Sequence, residues 1–494
     1  MNRMGSSYES TRLVSLILCL VLVSIPFLAV EFAPITDLPQ QVSQIRLLVE
    51  TISNPHTSHY QVQWFKPGNL SYVVLGLGWV IFDPLTAGRM AMLIIVLFWV
   101  VSVHFIAWRR SRSPDLAVLA SLFVFNQSLY WGFYSFMLGV PAFLLWFQKT
   151  TSEPSQNSAA REAAACIGYA LVLYSCHILW FLFGLAWLVL HSLVFRRSLK
   201  PAVSKLIYVS PVIVLTVCWY LGFSGTKMAE QSALRMDPVE GSLFMTWVIE
   251  SAFGGIKGPI EYVIFGAITV WAGAALLLNL NTVRTQIDWE LFSAGGLLVI
   301  AAFLLPDVFM TTVLFNSRWI PTGLLLLVLS IPSIPLRLRL RQTSAMVVFA
   351  GLCAVTTMSW MDFDRKETSG LVEALEALPN STRVVGLATV QSSQLIKGQP
   401  TLQIFAYSQA LKGCSLSFSF ADFSSSLVTF KDRSEKPWTR YIEWFPERLK
   451  VSDLQYFDYA LVDGFDNLHD QIRSQEHFEP MNKDGRWRLY KIIH

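Results

Sequence analysis

Residues 13–30 form an apolar stretch without a single charged side chain. Comparable runs recur at 89–108, 115–128, 130–147, 162–175, 178–195, 203–223, 260–280, 290–305, 318–334 and 343–361. An apolar helix of about 20 residues crosses the roughly 30 Å hydrocarbon core of a bilayer. So many such runs in one chain constrain it to an all-α polytopic membrane bundle of about eleven transmembrane helices. Charged residues make up 15% of the chain and hydrophobic ones 53%, against roughly a quarter charged in soluble domains.

The formal net charge is +4. Its basic residues gather in short loops rather than on one face, so the sequence carries no nucleic-acid signature. The six cysteines show no CxxC spacing and read as small buried hydrophobes. Met1–Arg12 precedes the first apolar run, and Glu31–Pro39 offers no small-residue cleavage site, so that run reads as a retained first helix.

A twelfth run, 70–82, is short, and its placement decides the topology. If it does not span, then Arg3/Arg12, Arg109–Arg112, Lys149/Arg161, Arg196/Arg197/Lys200, Arg284 and Arg337–Arg341 share one side. The positive-inside bias makes that side the cytoplasm, with the N-terminus inside and the C-terminus outside. Residues 70–82 then form a helix lying in the outer interface, with Trp64, Tyr72 and Trp79 at head-group depth. Three outer regions are long: 31–88, 224–259 and the segment after 361. The chain therefore divides into a transmembrane part, 1–361, and an extracytoplasmic part, 362–494. In the latter, "ETSGLVEALEALP" (367–379) has helical spacing, while "TRVVGLA" (382–388), "FDYALVDGF" (457–465) and "RWRLYKII" (486–493) are strand-like. A small α/β domain is expected there.

Candidate site residues are the charged groups at the outer ends of spans. "FAPITDLPQQ" (32–41) sets Asp37 just before Leu38, Val42, Ile45, Leu48, Val49 and Ile52, which are spaced as one face of an amphipathic interfacial helix. Asp37 reads both as the N-cap of that helix and as a carboxylate open to a cavity. Glu31, at the mouth of the first span, is a second acid. Lys66, in "QWFKPGNLSY" (63–72), precedes the short helix as a phosphate-binding or snorkelling cation. Arg318 begins a span, where an anion must accompany it, either a phosphate or Asp307. His177 lies at an outer helix end, and Asn126 is a weaker candidate. His56 and His59 sit in a polar loop that reads poorly as a metal site. Lys227, Glu230, Arg235, Asp237 and Glu240 read as a solvated face.

The order of these parts resembles the GT-C superfamily of membrane glycosyltransferases, which use polyprenyl-phosphate-linked sugars. A first helix is followed by a long outer loop that opens with an acid and carries juxtamembrane helices, one of them starting at Lys-Pro. The stretch "KPGNLSYVVLGLGWVIFDPLTAGRMAMLII" (66–95) is similar to protein O-mannosyltransferase-like and aminoarabinose-transferase-like members.

The resemblance implies transfer of a sugar at the outer face of a bacterial inner membrane, in service of the cell envelope. The acceptor would be a lipid, glycan or protein. Asp37 would be the general base or acceptor-orienting acid, with Glu31 the further acid. Lys66 and Arg318 would attend the carrier phosphate, and His177 and Asp307 would line the substrate site. The resemblance fixes no cofactor and leaves a divalent cation open. Here Glu31 and Asp37 stand apart rather than as a paired acid motif, and Gln41 occupies a position where some members carry histidine. Two other classes compete. A transporter or lipid flippase would want charge near the bilayer midplane, whereas these spans are nearly free of it. A non-catalytic envelope assembly subunit would use the outer domain for binding.

Overall fold

The computed structural model describes residues 2–152, 158–224, 233–235, 244–310, 312–432, 435–482 and 484–494. Lys227, Glu230, Asp237 and Glu240 lie outside the described residues. In chain order the first helices are α1 (Asn2–Leu28), α2 (Leu38–Ser53), α3 (Asn69–Ile81), α4 (Pro84–Arg109), α5 (Pro114–Ser121), α6 (Gln127–Trp131), α7 (Tyr134–Thr151), α8 (Ala159–Cys176), α9 (Ile178–Val194) and α10 (Lys200–Ser224). They are followed by α11 (Phe244–Ala252), α12 (Ile260–Leu277), α13 (Val283–Gln286), α14 (Trp289–Leu304), α15 (Trp319–Ser330) and α16 (Leu338–Glu367). Five of these are long and apolar enough to cross a membrane: α1 from Tyr8, α4, α10 as far as Gly222, α12 and α16.

Each apolar run becomes helical over most of its length; 130–147 is interrupted at Gly132 and Phe133, and 115–128 does not become one helix. It forms α5, a 3-10 turn at Leu122–Val124 and the start of α6, all inside the bundle. Helix α4 begins before its apolar run. Asp83 accepts the backbone N–H groups of Leu85 and Thr86 at 3.0 Å each, with Pro84 in the first turn. Helix α3 has 13 residues, so at 1.5 Å per residue it is about 20 Å long, too short to span. Its Val73, Leu77, Val80 and Ile81 are exposed, and so is Phe65 just before it. An apolar face without protein cover at this position suits the membrane interface.

Helix α2 corrects the expectation of an amphipathic helix lying on lipid. Its apolar side packs on α4, where a Cβ at Gly88 would stand 2.4 Å from Val42 and 2.9 Å from Leu38. Its polar side is buried beneath the C-terminal residues. Gln40 donates to Gln403 at 2.9 Å and accepts from the backbone of Phe420 at 3.0 Å. Ser43 donates to the Ala406 carbonyl at 2.7 Å, and Gln44 accepts from Val428 N–H at 2.8 Å.

The C-terminal residues contain α17 (Leu371–Ala377), α18 (Tyr407–Lys412) and α19 (Asp466–Arg473). They pack on a sheet of β5 (Ser415–Leu416), β4 (Arg383–Ala388), β7 (Tyr459–Asp463), β9 (Trp487–Ile492) and β8 (Phe478–Pro480), in that spatial order. The pairs β5–β4 and β4–β7 are parallel, whereas β7–β9 and β9–β8 are antiparallel. Strand β1 (Tyr60–Val62) of the first loop pairs antiparallel with β6 (Val428–Phe430). Strand β2 (Ala233–Arg235) pairs antiparallel with β3 (Val308–Met310). Residues 361 and 362 lie within α16, which runs on to Glu367. One continuous apolar core joins the bundle to Val384, Ala388, Phe405 and Leu461 beneath the sheet.

Candidate active site

The site is built on the turn after α6. Asn126, one of the sequence candidates, is fully buried and caps this helix. Its side chain accepts from Leu129 N–H at 3.2 Å and donates to the Phe123 carbonyl at 2.8 Å. Its role is thus to fix α6. The helix ends at Gly132, whose φ of +81° lies in the left-handed region that glycine tolerates. The first outer loop docks there. Thr36 N–H donates to the Tyr130 carbonyl at 2.9 Å and Asp37 N–H to the Trp131 carbonyl at 3.2 Å. A Cβ at Gly132 would stand 3.2 Å from Asp37 Cβ.

Asp37 precedes α2 but makes no side-chain cap hydrogen bond. Its carboxylate is therefore not consumed by the helix. Burial pushes it up to about 7, against the opposing pull of Arg318. Arg318 immediately precedes α15 and is buried. Its guanidinium lies 3.6 Å from the centroid of the Phe133 ring, donates to the Val313 carbonyl at 2.7 Å, and leaves Nε without a partner among the described residues. Asp307 is not the anion beside it. Asp307 pairs with exposed Arg235 at 2.9 Å across the β2–β3 ladder.

Lys66 reaches the same surroundings from the other side. The Lys66–Gly68 turn is docked by Tyr174, which donates its hydroxyl to the Phe65 carbonyl at 2.9 Å. At Gly68, φ +92°, a Cβ would stand 3.6 Å from Ser135 Cβ and 3.8 Å from the Cys176 carbonyl. Lys66 Nζ donates to the Ser425 carbonyl and lies 5.6 Å from the centroid of Tyr72. Burial lowers this ammonium to about 7. Tyr72 joins the two sides, because its phenol is pushed up chiefly by burial and also by the charge of Asp37.

His177 completes the group. Its Nδ1 accepts the Leu179 N–H at 3.2 Å, and its ring meets Phe136 edge-on at 5.5 Å. Burial and then the Arg318 charge lower it to about 3. The ring is neutral near pH 7, and with Nδ1 accepting, the proton sits on Nε2 as a donor.

Arg318 thus acts on both Asp37 and His177, while Lys66 shares with Asp37 the single neighbour Tyr72. Glu31 is elsewhere. It is exposed and lines a cavity of about 400 Å³ with Asp362, Asp364, Thr368 and Glu373. Asp364 accepts the backbone N–H of Glu31 at 2.7 Å and of Phe32 at 3.0 Å. Burial and the Asp364 charge raise the Glu31 carboxyl.

The charged group that acts on Asp37 is a cation, Arg318, rather than a second carboxylate. No cluster of three or more His, Cys, Asp or Glu suited to a metal occurs among the described residues, and His56 and His59 belong to none. This donor set does not fit a divalent cation at Asp37, and it does suit an anion. Phe133 and Gly132 were not singled out from sequence, and Tyr72 was read there only as an interfacial aromatic. Among them, only the glycine next to aromatic residues gave a local signal.

No family model matches the sequence, and no curated protein matches it. Solved structures do. ArnT from Cupriavidus metallidurans in the apo state superposes with a TM-score of 0.55 at 12% identity, covering 96% of this chain and 97% of that one. The same protein bound to undecaprenyl phosphate gives the same figures. Arabinofuranosyltransferase AftD from Mycobacteria overlaps with a TM-score of 0.49 at 12% identity, over 97% of this chain and 40% of its own length. With its membrane-length helices and its likeness to ArnT, the chain is a multi-pass integral membrane protein that shares the fold of ArnT.

Proposed function

We propose that the protein transfers a sugar from a polyprenyl-phosphate carrier to an acceptor at the outer face of the membrane. The observation that carries this reading is a carboxylate held near neutrality beside Arg318 and Tyr72, with Lys66 over the same tyrosine. The likeness to ArnT, which has been solved with undecaprenyl phosphate bound, supports the carrier class.

In the reaction, an acceptor oxygen attacks the anomeric carbon while the carbon–oxygen bond to the carrier phosphate breaks. The bonding electrons leave with the phosphate, and the acceptor's proton passes to Asp37. A base with a pKa near the working pH is suited to that step. Lys66, Arg318 and the Nε2–H of His177 stabilise the charge that develops on the leaving phosphate. The anomeric configuration inverts. The membrane-length helices lie within the bilayer, with the N-terminus inside, α3 in the outer interface and the C-terminal sheet outside. This topology puts carrier head group and site at one depth.

Incubating the purified protein with a panel of polyprenyl-phosphate sugars tests the reading through release of polyprenyl phosphate. Asp37→Asn abolishes release while the protein still inserts and folds. Full activity in that variant removes Asp37 from the mechanism.

A further inference from the structure

At the opposite, arginine-rich end of the bundle, a cleft of about 490 Å³ opens between α1, α4 and the start of α5. Leu13, Leu16, Val101 and Phe105 line its apolar part, with Arg12 at the mouth and His104 further in. Nothing in the proposed transfer reaction uses it. We propose that this cleft binds one anionic phospholipid from the leaflet at that end, with its phosphate at Arg12 and an acyl chain along Leu16 and Val101.

Three observations carry the proposal. The first is charge. Arg12 makes no ion pair among the described residues. It donates to the Arg112 carbonyl at 2.8 Å and lies 4.7 Å from the centroid of the Tyr8 ring. Arg112 spends its own donors on the carbonyls of Leu329, Ser330 and Gln286 at 2.8–3.1 Å. Asp288 offsets part of the Arg112 charge, whereas the carbonyl that Arg12 meets satisfies a hydrogen bond and leaves its positive charge standing. Glu9 also lines the mouth, and Arg12 and Arg112, which line it too, outweigh that single carboxylate.

The second is a polar group in an apolar wall. His104 is 8% exposed, lines the cleft, and its Nε2 has no partner among the described residues. A buried ring nitrogen without a partner is costly. A ligand with an acceptor or donor at that depth removes the cost. The third is depth. His104 precedes the end of α4 at Arg109 by five residues, about 7 Å along the axis. In a glycerophospholipid the ester oxygens lie beneath the phosphate on the tail side, so one molecule can meet Arg12 at the mouth with its head and the deeper His104 with an ester. Free phosphate has no such second contact. The volume is in the range of small-molecule pockets.

Binding is measured by native mass spectrometry on the intact protein titrated with phosphatidylglycerol or phosphatidylcholine of identical acyl chains. The wild type binds one phosphatidylglycerol about tenfold more tightly than phosphatidylcholine, and Arg12→Gln lowers the preference about fivefold, as expected for one interfacial cation. Leu16→Trp, which fills the cleft, abolishes the tight site, while Leu28→Trp, far along α1, leaves it. Equal affinity for the two lipids, or full phosphatidylglycerol binding in both Arg12→Gln and Leu16→Trp, overturns the proposal. So does undecaprenyl phosphate displacing phosphatidylglycerol from the wild type, because the occupant is then the carrier lipid. If Leu16→Trp fails to fold, the lipid preference of Arg12→Gln decides alone.

Discussion

Replacing Asp37 by asparagine should stabilise the protein while removing its activity. A carboxyl held at about 7 in the folded chain, against about 3.9 when unfolded, corresponds to about 4 kcal/mol. The sign follows from proton binding. The folded state holds this proton more tightly, so the associated stability is fully present below pH 4. It is lost as pH rises toward 7 and stays lost above. At pH 8 the wild type therefore carries the cost of an ionised, largely buried carboxylate. Asparagine mimics the protonated form and does not. Partial access of Asp37 to water makes 4 kcal/mol an upper bound, and about 1–3 kcal/mol is expected.

Loss of a cap does not offset this gain. An N-cap aspartate is worth about 1 kcal/mol through its side-chain hydrogen bond, and Asp37 makes none. Unfolding in mild detergent, followed from pH 5 to pH 8, measures the effect. Asp37→Asn should be the more stable at pH 8, the two proteins should converge toward pH 5, and sugar transfer should be lost throughout. A variant that is less stable than wild type at pH 8 refutes the reasoning, because it makes the ionised carboxylate a structural asset.

Further outcomes follow from the same geometry. With Asp37 required unprotonated and Lys66 protonated, each near 7, kcat/KM should trace a narrow bell centred near pH 7, and Lys66→Arg should move the alkaline limb upward while Asp37 fixes the acid limb. Gly132→Ala forces a side chain into a left-handed conformation at 3.2 Å from Asp37 Cβ and should cost about 1–2 kcal/mol together with most of the transfer rate. Gly266→Ala, where nothing lies within 4 Å, should be neutral or stabilising by a few tenths of a kcal/mol. Asp307→Asn should leave transfer nearly unchanged in a rate assay, because its partner is exposed Arg235 rather than Arg318.

Much of the scaffold was legible because apolar length is a local property. The bias of Arg109–Arg112 and its counterparts set the 70–82 helix apart from the spans, and its 13 residues are fewer than a span needs; the 12 residues of α15, inside the expected span 318–334, are fewer still, so length does not carry the expected count of eleven. Strands at 383–388, 459–463 and 487–492 followed from β-branched and aromatic runs. The role of α2 was not legible. Gln40, Ser43 and Gln44 look like a solvated face in sequence, and only the arrival of residues 403–428 buries them. The same limit hid the partner of Asp307, which comes from the separate strand at 233–235. Asp37, Lys66, Arg318 and His177 were each visible as charge or imidazole at a helix end. What joins them is Tyr72 and the turn at Gly132, whose importance depends on a fold-level meeting of three segments.

The central claim is that Asp37 and the cations Lys66 and Arg318 serve one lipid-phosphate pocket. A cryo-EM structure of the purified protein with undecaprenyl phosphate tests it directly. The phosphate should lie within hydrogen-bonding distance of Lys66 Nζ or the Arg318 guanidinium, with Asp37 on the side facing away from the lipid tail. Phosphate density beside Glu31 and Asp364, or at the arginine-rich end alone, would contradict it.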